Sequence, residues 1–280
     1  MSYTIQKETT FQRVRRVFVQ SLNGEEQDYT TGSIDRAIVL LAIPMILEMA
    51  MESLFAVVDA FFVAKIGVEA VATVGLTESM LMLVYSIAIG LSAAATAMVA
   101  RRIGEGDRDA AAKAGAQVIL IAVILSGVIA VPGYFYAEDL LRLMAHDTSV
   151  SETGFHFTRL LLTANLPILL LWMLNGIFRG AGDAATAMRA LWIANGVNII
   201  LCPVLIFGWG PFPAMGVIGS GVATTIGRSS GVAYQLWHLF EVGKIIRLRW
   251  NMLKPKWDTI GTLIKIASGS TGQYLISSAS

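Results

Sequence analysis

The chain opens with a polar stretch and then alternates long apolar runs with short polar ones. Apolar runs occupy roughly 37–63, 70–100, 114–136, 155–178, 184–207 and 216–240, and a seventh begins near 259. One bilayer crossing takes about 20 apolar residues of helix, so each run is long enough to span. Backbone polar groups in lipid must be bonded within their own segment, which leaves helices or a closed barrel. Barrel strands alternate apolar and polar positions; these runs do not. The pattern predicts an all-α polytopic membrane protein. It divides into a polar tail over 1–35, a six-helix transmembrane bundle over 36–240, a basic linker over 241–258 and the start of a seventh helix over 259–280. The tail is expected to be disordered or to lie on the membrane surface. About 36 polar residues precede the first apolar run, so no cleavable signal peptide is expected.

Composition agrees. Of 280 residues, 55% are hydrophobic and 15% charged, with a mean hydropathy of +0.64. Soluble domains carry about 25% charged residues. The single cysteine, Cys202, excludes an internal disulfide. The distribution of charge says more than the net value of +1. Fifteen lysines and arginines fall in the tail, in the loops after the second and sixth spans, and at Arg179 after the fourth; the opposite loops carry two, Lys65 and Arg142. The positive-inside rule places the N-terminus and the even-numbered loops in the cytoplasm of a cell bounded by a plasma, or bacterial inner, membrane. The loop after the third span, with Glu138, Asp139, Asp147 and Glu152, is then external. The expected surroundings are the lipid bilayer and no nucleic acid. No Walker A sequence, GxSxG or His–Cys zinc spacing occurs, so neither an enzyme nor an ATP-driven pump is expected. No metal site is suggested by His146 and His156.

The first span carries the candidate chemistry. Glu48, Glu52 and Asp59 lie in an apolar run. At 100° per residue they fall at about 0°, 40° and 20°, on one narrow face. A carboxylate at the bilayer centre costs about 3 kcal/mol and faces a wet cavity or a partner. Three on one face point to binding of a proton or a cation, through a carboxylate that gains and loses a proton as its surroundings change. The bland alternatives are that Glu48 reaches the headgroups and that Asp59 bonds a neighbouring helix. Glu78 is a further intramembrane acid without an assigned role. The fifth span offers Asn195, Asn198 and Cys202, spaced by three and four and therefore stacked. The sixth offers Ser220, Thr224 and Thr225 among glycines that permit close approach. Arg159 and Arg189 lie near span ends and are expected to snorkel. Arg228 is deeper and is expected to pair with an acid. Met45, Met49 and Met51 lie beside the acidic face, where methionine adapts to varied ligands. Leu41-Ala42-Ile43-Pro44 and Lys265-Ile266-Ala267-Ser268, 224 residues apart, open two spans in a similar way. Repeated bundles with a site at their interface are common in secondary transporters.

Several stretches together resemble one family. They are Val57-Val58-Asp59-Ala60-Phe61-Phe62-Val63-Ala64-Lys65-Ile66-Gly67, Ala70-Val71-Ala72-Thr73-Val74-Gly75-Leu76, Arg179-Gly180-Ala181-Gly182-Asp183, Asn198-Ile199-Ile200-Leu201-Cys202-Pro203 and Met215-Gly216-Val217-Ile218-Gly219-Ser220-Gly221-Val222-Ala223-Thr224. In this order they resemble the MATE family, the multidrug and toxic compound extrusion transporters, in a DinF-like branch, from about residue 36 to 280. The resemblance implies twelve helices in two six-helix lobes around a central cavity. It implies that this chain holds the N-terminal lobe, the inter-lobe linker and the start of helix 7, with the C-terminal lobe of the same polypeptide as its partner. It further implies exchange of protons or sodium ions for amphipathic organic cations, with no cofactor beyond the coupling ion. By position, Asp59 matches an ion-binding aspartate, Asn198 the asparagine beside it and Thr224 a threonine of the same polar cluster; a sodium ion would sit at these three. Cys202 stands where members of this branch often carry a second aspartate. A thiol adds little to sodium coordination, which prefers oxygen. Glu52, about two turns from Asp59, is a candidate to restore that charge.

The resulting expectation is a secondary antiporter with Asp59, Asn198, Thr224 and Glu52 coupling the ion and Glu48, Met49, Asn195 and Cys202 lining the substrate cavity. Its cycle would protonate Asp59 and bend the first span near Pro44 or its midpoint. The alternatives are a lipid-linked saccharide flippase of the same superfamily and a non-transporting membrane fragment. Three acids oppose the flippase, whose cavity would hold phosphates.

Overall fold

The computed structural model describes residues 10–23, 33–145, 148–242 and 245–278. Their regular structure is helical throughout. In chain order the helices are α1 (Thr10–Asn23), α2 (Ile34–Ala64), α3 (Val68–Gly104), α4 (Arg108–Met144), α5 (Thr148–Thr163), α6 (Leu166–Gly180), α7 (Ala184–Phe207), α8 (Val217–Trp237) and α9 (Trp257–Ser278). A π turn (His238–Val242) and a 3-10 turn (Trp250–Leu253) separate α8 from α9. Four helices, α2, α3, α4 and α7, are individually long and apolar enough to cross a membrane. The protein is an integral membrane protein.

The expected fourth span, 155–178, is not one straight helix. It is α5 and α6, bent by 43° across residues 164–165. Pro167, in the first turn of α6, is the cause. It has no N–H to donate and its ring crowds the preceding turn. Asn165, fully buried, covers the break by donating to the Leu162 and Ser126 carbonyls. The sixth expected span, α8, has the length but not the apolarity. Most of its Gly, Ser, Thr and Arg positions, though not Ser229, are shielded by the helices packed around it, α5, α6 and α7 among them. In the polar tail, Thr10–Asn23 is helical rather than disordered. Arg36 donates to Gln20 across 2.9 Å, and Arg189 donates to the Leu22 carbonyl. That ties α1 to α2 and α7, so Arg189 is anchored on α1 rather than reaching headgroups. His146 and Asp147, two residues of the expected external loop, lie outside the described residues.

The same turn is used twice. Gly104-Glu105-Gly106-Asp107 joins α3 to α4, and Gly180-Ala181-Gly182-Asp183 joins α6 to α7. Gly106 and Gly182 take φ of 77° and 83°, which glycine alone adopts easily. Asp107 and Asp183 then cap the next helix, accepting from Ala110 N at 2.8 Å and Thr186 N at 3.0 Å.

Small residues set the helix spacing. The central core is rich in alanine, with Ala94, Ala95, Ala111, Ala116, Ala187 and Ala190 fully buried. A Cβ at Gly227 would lie 2.5 Å from the Ala194 carbonyl oxygen, and one at Gly231 2.7 Å from that of Ala190. The backbones of α7 and α8 therefore touch, as membrane helices do at small residues. The α3–α6 contact is similar. Ser92 donates to the Trp172 carbonyl at 2.8 Å and Thr96 to that of Gly176 at 2.9 Å. Beyond α8, the chain is pinned by buried Gln117 of α4. Its amide donates to the Met252 and Lys254 carbonyls and accepts from Lys256 N. The chain then enters α9, which packs on α3.

A Cβ at Gly176 would sit 2.5 Å from the Ser92 carbonyl oxygen, whereas one at Gly196 meets nothing within 4 Å. Gly176→Ala is predicted to destabilise the fold by about 1–3 kcal/mol through forced separation of α3 and α6. Gly196→Ala should be neutral or stabilising, because alanine favours a helix interior by about 1 kcal/mol over glycine. Thermal unfolding of the two variants in detergent checks the contrast.

Candidate ion and substrate site

Glu48, Glu52 and Asp59 do share the face of α2 that meets the bundle. Glu48 and Glu52 both border one cavity, which Asp59 does not line. Each reaches a different set of partners, and among the described residues no group of three His, Cys, Asp or Glu is placed to hold a metal ion.

Glu48 is buried, at 8% exposure, and does not reach outward to headgroups. Its Oε1 accepts from Arg179 Nη2 at 2.9 Å and from Asn175 Nδ2 at 3.1 Å, both on α6. Gln235 of α8, wholly buried, donates in turn to Asn175 Oδ1. Glu52, one turn on, meets α7 and α8. Arg228 Nη2 donates to its Oε1 at 2.7 Å and Nη1 to its Oε2 at 3.3 Å, and Asn195 Nδ2 donates to Oε2 at 2.9 Å. The Arg228 guanidinium also lies 5.1 Å from the Phe55 ring centre. The planar fork of arginine suits this two-point grip. Arg228 does pair with an acid, as its depth implied. That acid is Glu52, so Glu52 is held by its own cation rather than completing a site with Asp59.

Asp59, half-buried, has no cationic partner among the described residues. Its Oδ1 accepts from Ser220 Oγ at 3.0 Å and from Cys202 Sγ at 3.4 Å. Asn198 and Thr224 lie in the same region of α7 and α8 but bond each other, Nδ2 to Oγ1 at 3.0 Å. The polar cluster around Asp59 is thus two adjoining pairs. Neutral donors can hold a carboxylate or release it with small rearrangement, which an ion pair cannot. Oxygen donors from Asp59, Ser220, Asn198 and Thr224 are the ones suited to a hard cation.

Met49 lies on the outer side of Glu48. With Met45, Leu171, Trp172 and Leu191 it lines a cavity of about 240 Å³ between α2, α6 and α7. Asn195 and Cys202, named with it from sequence, do not line that cavity. Asn195 is buried behind Glu52, and Cys202 is buried beside Asp59. Asn175, Arg179 and Gln235 are residues of the candidate site that the apolar pattern did not reveal. Arg179 counts as a loop charge by position. A signal was present in the spacing: Asn175 and Arg179 are four apart and so stack on one face of α6.

A family model described as MatE matches residues 44–204. The probable multidrug resistance protein NorM of Thermotoga maritima is 26% identical over 234 residues, 83% of this chain and 50% of that protein. An FAD transporter of Shewanella oneidensis is 30% identical over 196 residues, 69% of this chain and 43% of that protein. The structure of a MOP superfamily transporter from Pyrococcus furiosus superposes with a TM-score of 0.80 at 27% identity, covering 96% of this chain and 56% of that one. The chain spans about half the length of the curated relatives it matches.

The Glu52–Arg228 pair is predicted to couple strongly. Arg228→Met should destabilise the protein, and Glu52→Gln added to it should restore much of the loss, with an interaction energy of about 1–3 kcal/mol. A double-mutant cycle in thermal or denaturant unfolding measures it.

Proposed function

Because the chain belongs to the MatE family, we propose that it forms the N-terminal lobe of a secondary antiporter exporting amphipathic organic cations in exchange for protons or sodium ions. The observation that carries this reading is Asp59. Of the three interior acids of α2, it is the one held only by neutral donors, Ser220 and Cys202. Glu48 and Glu52 each lie against an arginine. An acid compensated by a fixed arginine gains little from an incoming cation. An acid compensated by hydroxyl and thiol donors gains much, whether the cation is a coupling ion or a cargo molecule.

In this reading Asp59 alternates between the two. When its carboxylate is free, the N-lobe attracts a cationic substrate. When a proton or sodium ion arrives, the attraction is removed and the Ser220 and Cys202 bonds rearrange. Asn198 and Thr224 would supply further oxygens if the ion is sodium. The N-terminus and the two Gly-x-Gly-Asp turns face the cytoplasm of a plasma (bacterial inner) membrane, in keeping with their arginines. The exposed apolar face of α2, including Ile46, Leu54 and Val57, is left to lipid and to the second lobe. A lipid-linked saccharide flippase would need free cations for phosphate. Arg179 and Arg228 are both engaged by glutamates, which disfavours it.

Asp59→Asn is predicted to abolish drug export from vesicles under an imposed proton or sodium gradient, with membrane insertion unchanged. The complete polypeptide should be assayed with each gradient in turn. Undiminished export by the asparagine variant would overturn the reading.

A further inference from the structure

The segment between α8 and α9 is anchored on one side and charged on the other. Ile246, Leu248 and Met252 are buried in the central core. Leu248 N donates to the Leu239 carbonyl at 2.9 Å. The backbone here is extended, with Arg249 at φ −126° and ψ 144°. Extended backbone sends successive side chains to opposite sides. Arg247 and Arg249 therefore leave the side opposite to Ile246 and Leu248, and both are exposed. Residues 242–257 carry Lys244, Arg247, Arg249, Lys254 and Lys256 and no acid, with Glu241 and Asp258 at the flanks. Neither guanidinium enters an ion pair among the described residues. Arg247 Nε donates to the Phe240 carbonyl at 3.4 Å. Asp109, in the first turn of α4, is within electrostatic reach of Arg249 and Lys256 but is itself paired with Lys113.

The two arginines form the polar wall of a groove of about 550 Å³. Its apolar walls are Leu236 and Trp237 at the end of α8, Phe240 of the π turn, Leu248 and Trp250. The Phe240 and Trp250 rings stack with centres 4.6 Å apart. Trp237 and Trp250 are nevertheless 54% and 76% exposed. Neither indole N–H donates to a protein group among the described residues. No residue of α9 lines the groove, and α9 packs on α3 and α4.

Exposed tryptophans beside arginines at the end of a membrane helix match the boundary between bilayer and water. There the indole rings lie along glycerol and acyl groups, while the indole N–H groups and guanidiniums meet headgroup oxygens. The charge then selects among headgroups. A zwitterionic choline headgroup would bring a cation toward two uncompensated arginines. An anionic phosphodiester brings none, and the planar guanidinium fork suits its oxygens. The geometry points to a binding site for one anionic phospholipid of the cytoplasmic leaflet, with its phosphate on Arg247 and Arg249 and its glycerol and upper acyl chains against Trp237 and the Phe240–Trp250 stack. The site goes beyond the transport reading. It takes from that reading only the cytoplasmic placement of this segment, and Asp59 has no part in it.

The complete polypeptide, reconstituted in nanodiscs of equal phosphatidylglycerol and phosphatidylcholine, is examined by native mass spectrometry for the lipid it retains on release. The first retained lipid should be phosphatidylglycerol, by about tenfold or more over phosphatidylcholine, the scale of two arginines beside an anionic headgroup. Arg247→Gln with Arg249→Gln should bring the ratio close to that of the bilayer. Lys254→Gln with Lys256→Gln removes the same charge from the same segment but outside the groove, and should leave the preference within about twofold. All four side chains are exposed, and equal melting temperatures in pure phosphatidylcholine check that both double variants fold. A lack of preference in the unaltered protein, as a groove filled by the second lobe would give, overturns the site. So does a preference that survives loss of both arginines. Equal losses in the two double variants would mean a diffuse basic surface, and displacement of the lipid by millimolar inorganic phosphate would mean a site for aqueous anions; either sinks the proposal. Export by the Asp59→Asn variant is read separately, so failure of the transport reading leaves the lipid ratio interpretable, and loss of the ratio leaves that reading standing.

Discussion

A charged group among membrane helices must be compensated within reach of its side chain, and the arrangement of this bundle follows from that requirement. α2 carries three interior acids, and only two of them receive an arginine. Those two pairs fasten the middle of α2 to α6 and α8, at positions four residues apart. The third acid, Asp59, is fastened more weakly by Ser220 and Cys202. One helix therefore has a middle clamped by charge and a C-terminal part held by neutral hydrogen bonds. The proposed exchange of an ion at Asp59 rests on this difference in electrostatic anchoring. That difference does not depend on which ion or cargo binds.

The pairs can form only because the helices are close. Arg228 reaches Glu52 from a turn of α8 whose glycines bring its backbone against α7. A larger residue at Gly227 would push α8 outward, away from α2. The same logic holds at α6. Gly176 touches the α3 backbone, and its neighbour Asn175 is thereby turned toward Glu48. Packing among small residues and compensation of charge are thus one design: the first sets the distances that the second requires.

Much of this was legible in the sequence. Helix content, the approximate limits of α2, α3 and α7, and the common face of Glu48, Glu52 and Asp59 follow from apolar run length and from 100° per residue. The pairing of Arg228 with an acid followed from its depth. Other features were hidden for physical reasons. The break between α5 and α6 depends on how Pro167 is packed, because some prolines, such as Pro44 in α2 and Pro132 in α4, lie inside continuous helices. Arg179 reads as a loop charge, since a last-turn arginine can point either way and only the position of Glu48 decides. Asn198 and Thr224 appeared as neighbours of Asp59. Whether they bond it or each other is a matter of rotamers, which spacing does not encode. The helix in the polar tail carries its three arginines in its first two turns, and its docking rests on a few long-range bonds such as Arg189 to Leu22.

The central claim is that Asp59, and not Glu48 or Glu52, is the interior acid of α2 free to exchange its ion. Dicyclohexylcarbodiimide reacts with carboxyl groups that become protonated in apolar surroundings, and peptide mass spectrometry locates the adduct. The account predicts modification of Asp59, reduced by a transported cation or by sodium if sodium couples, with Glu48 and Glu52 unmodified beside their arginines. Modification of Glu48 or Glu52 with Asp59 untouched would contradict it.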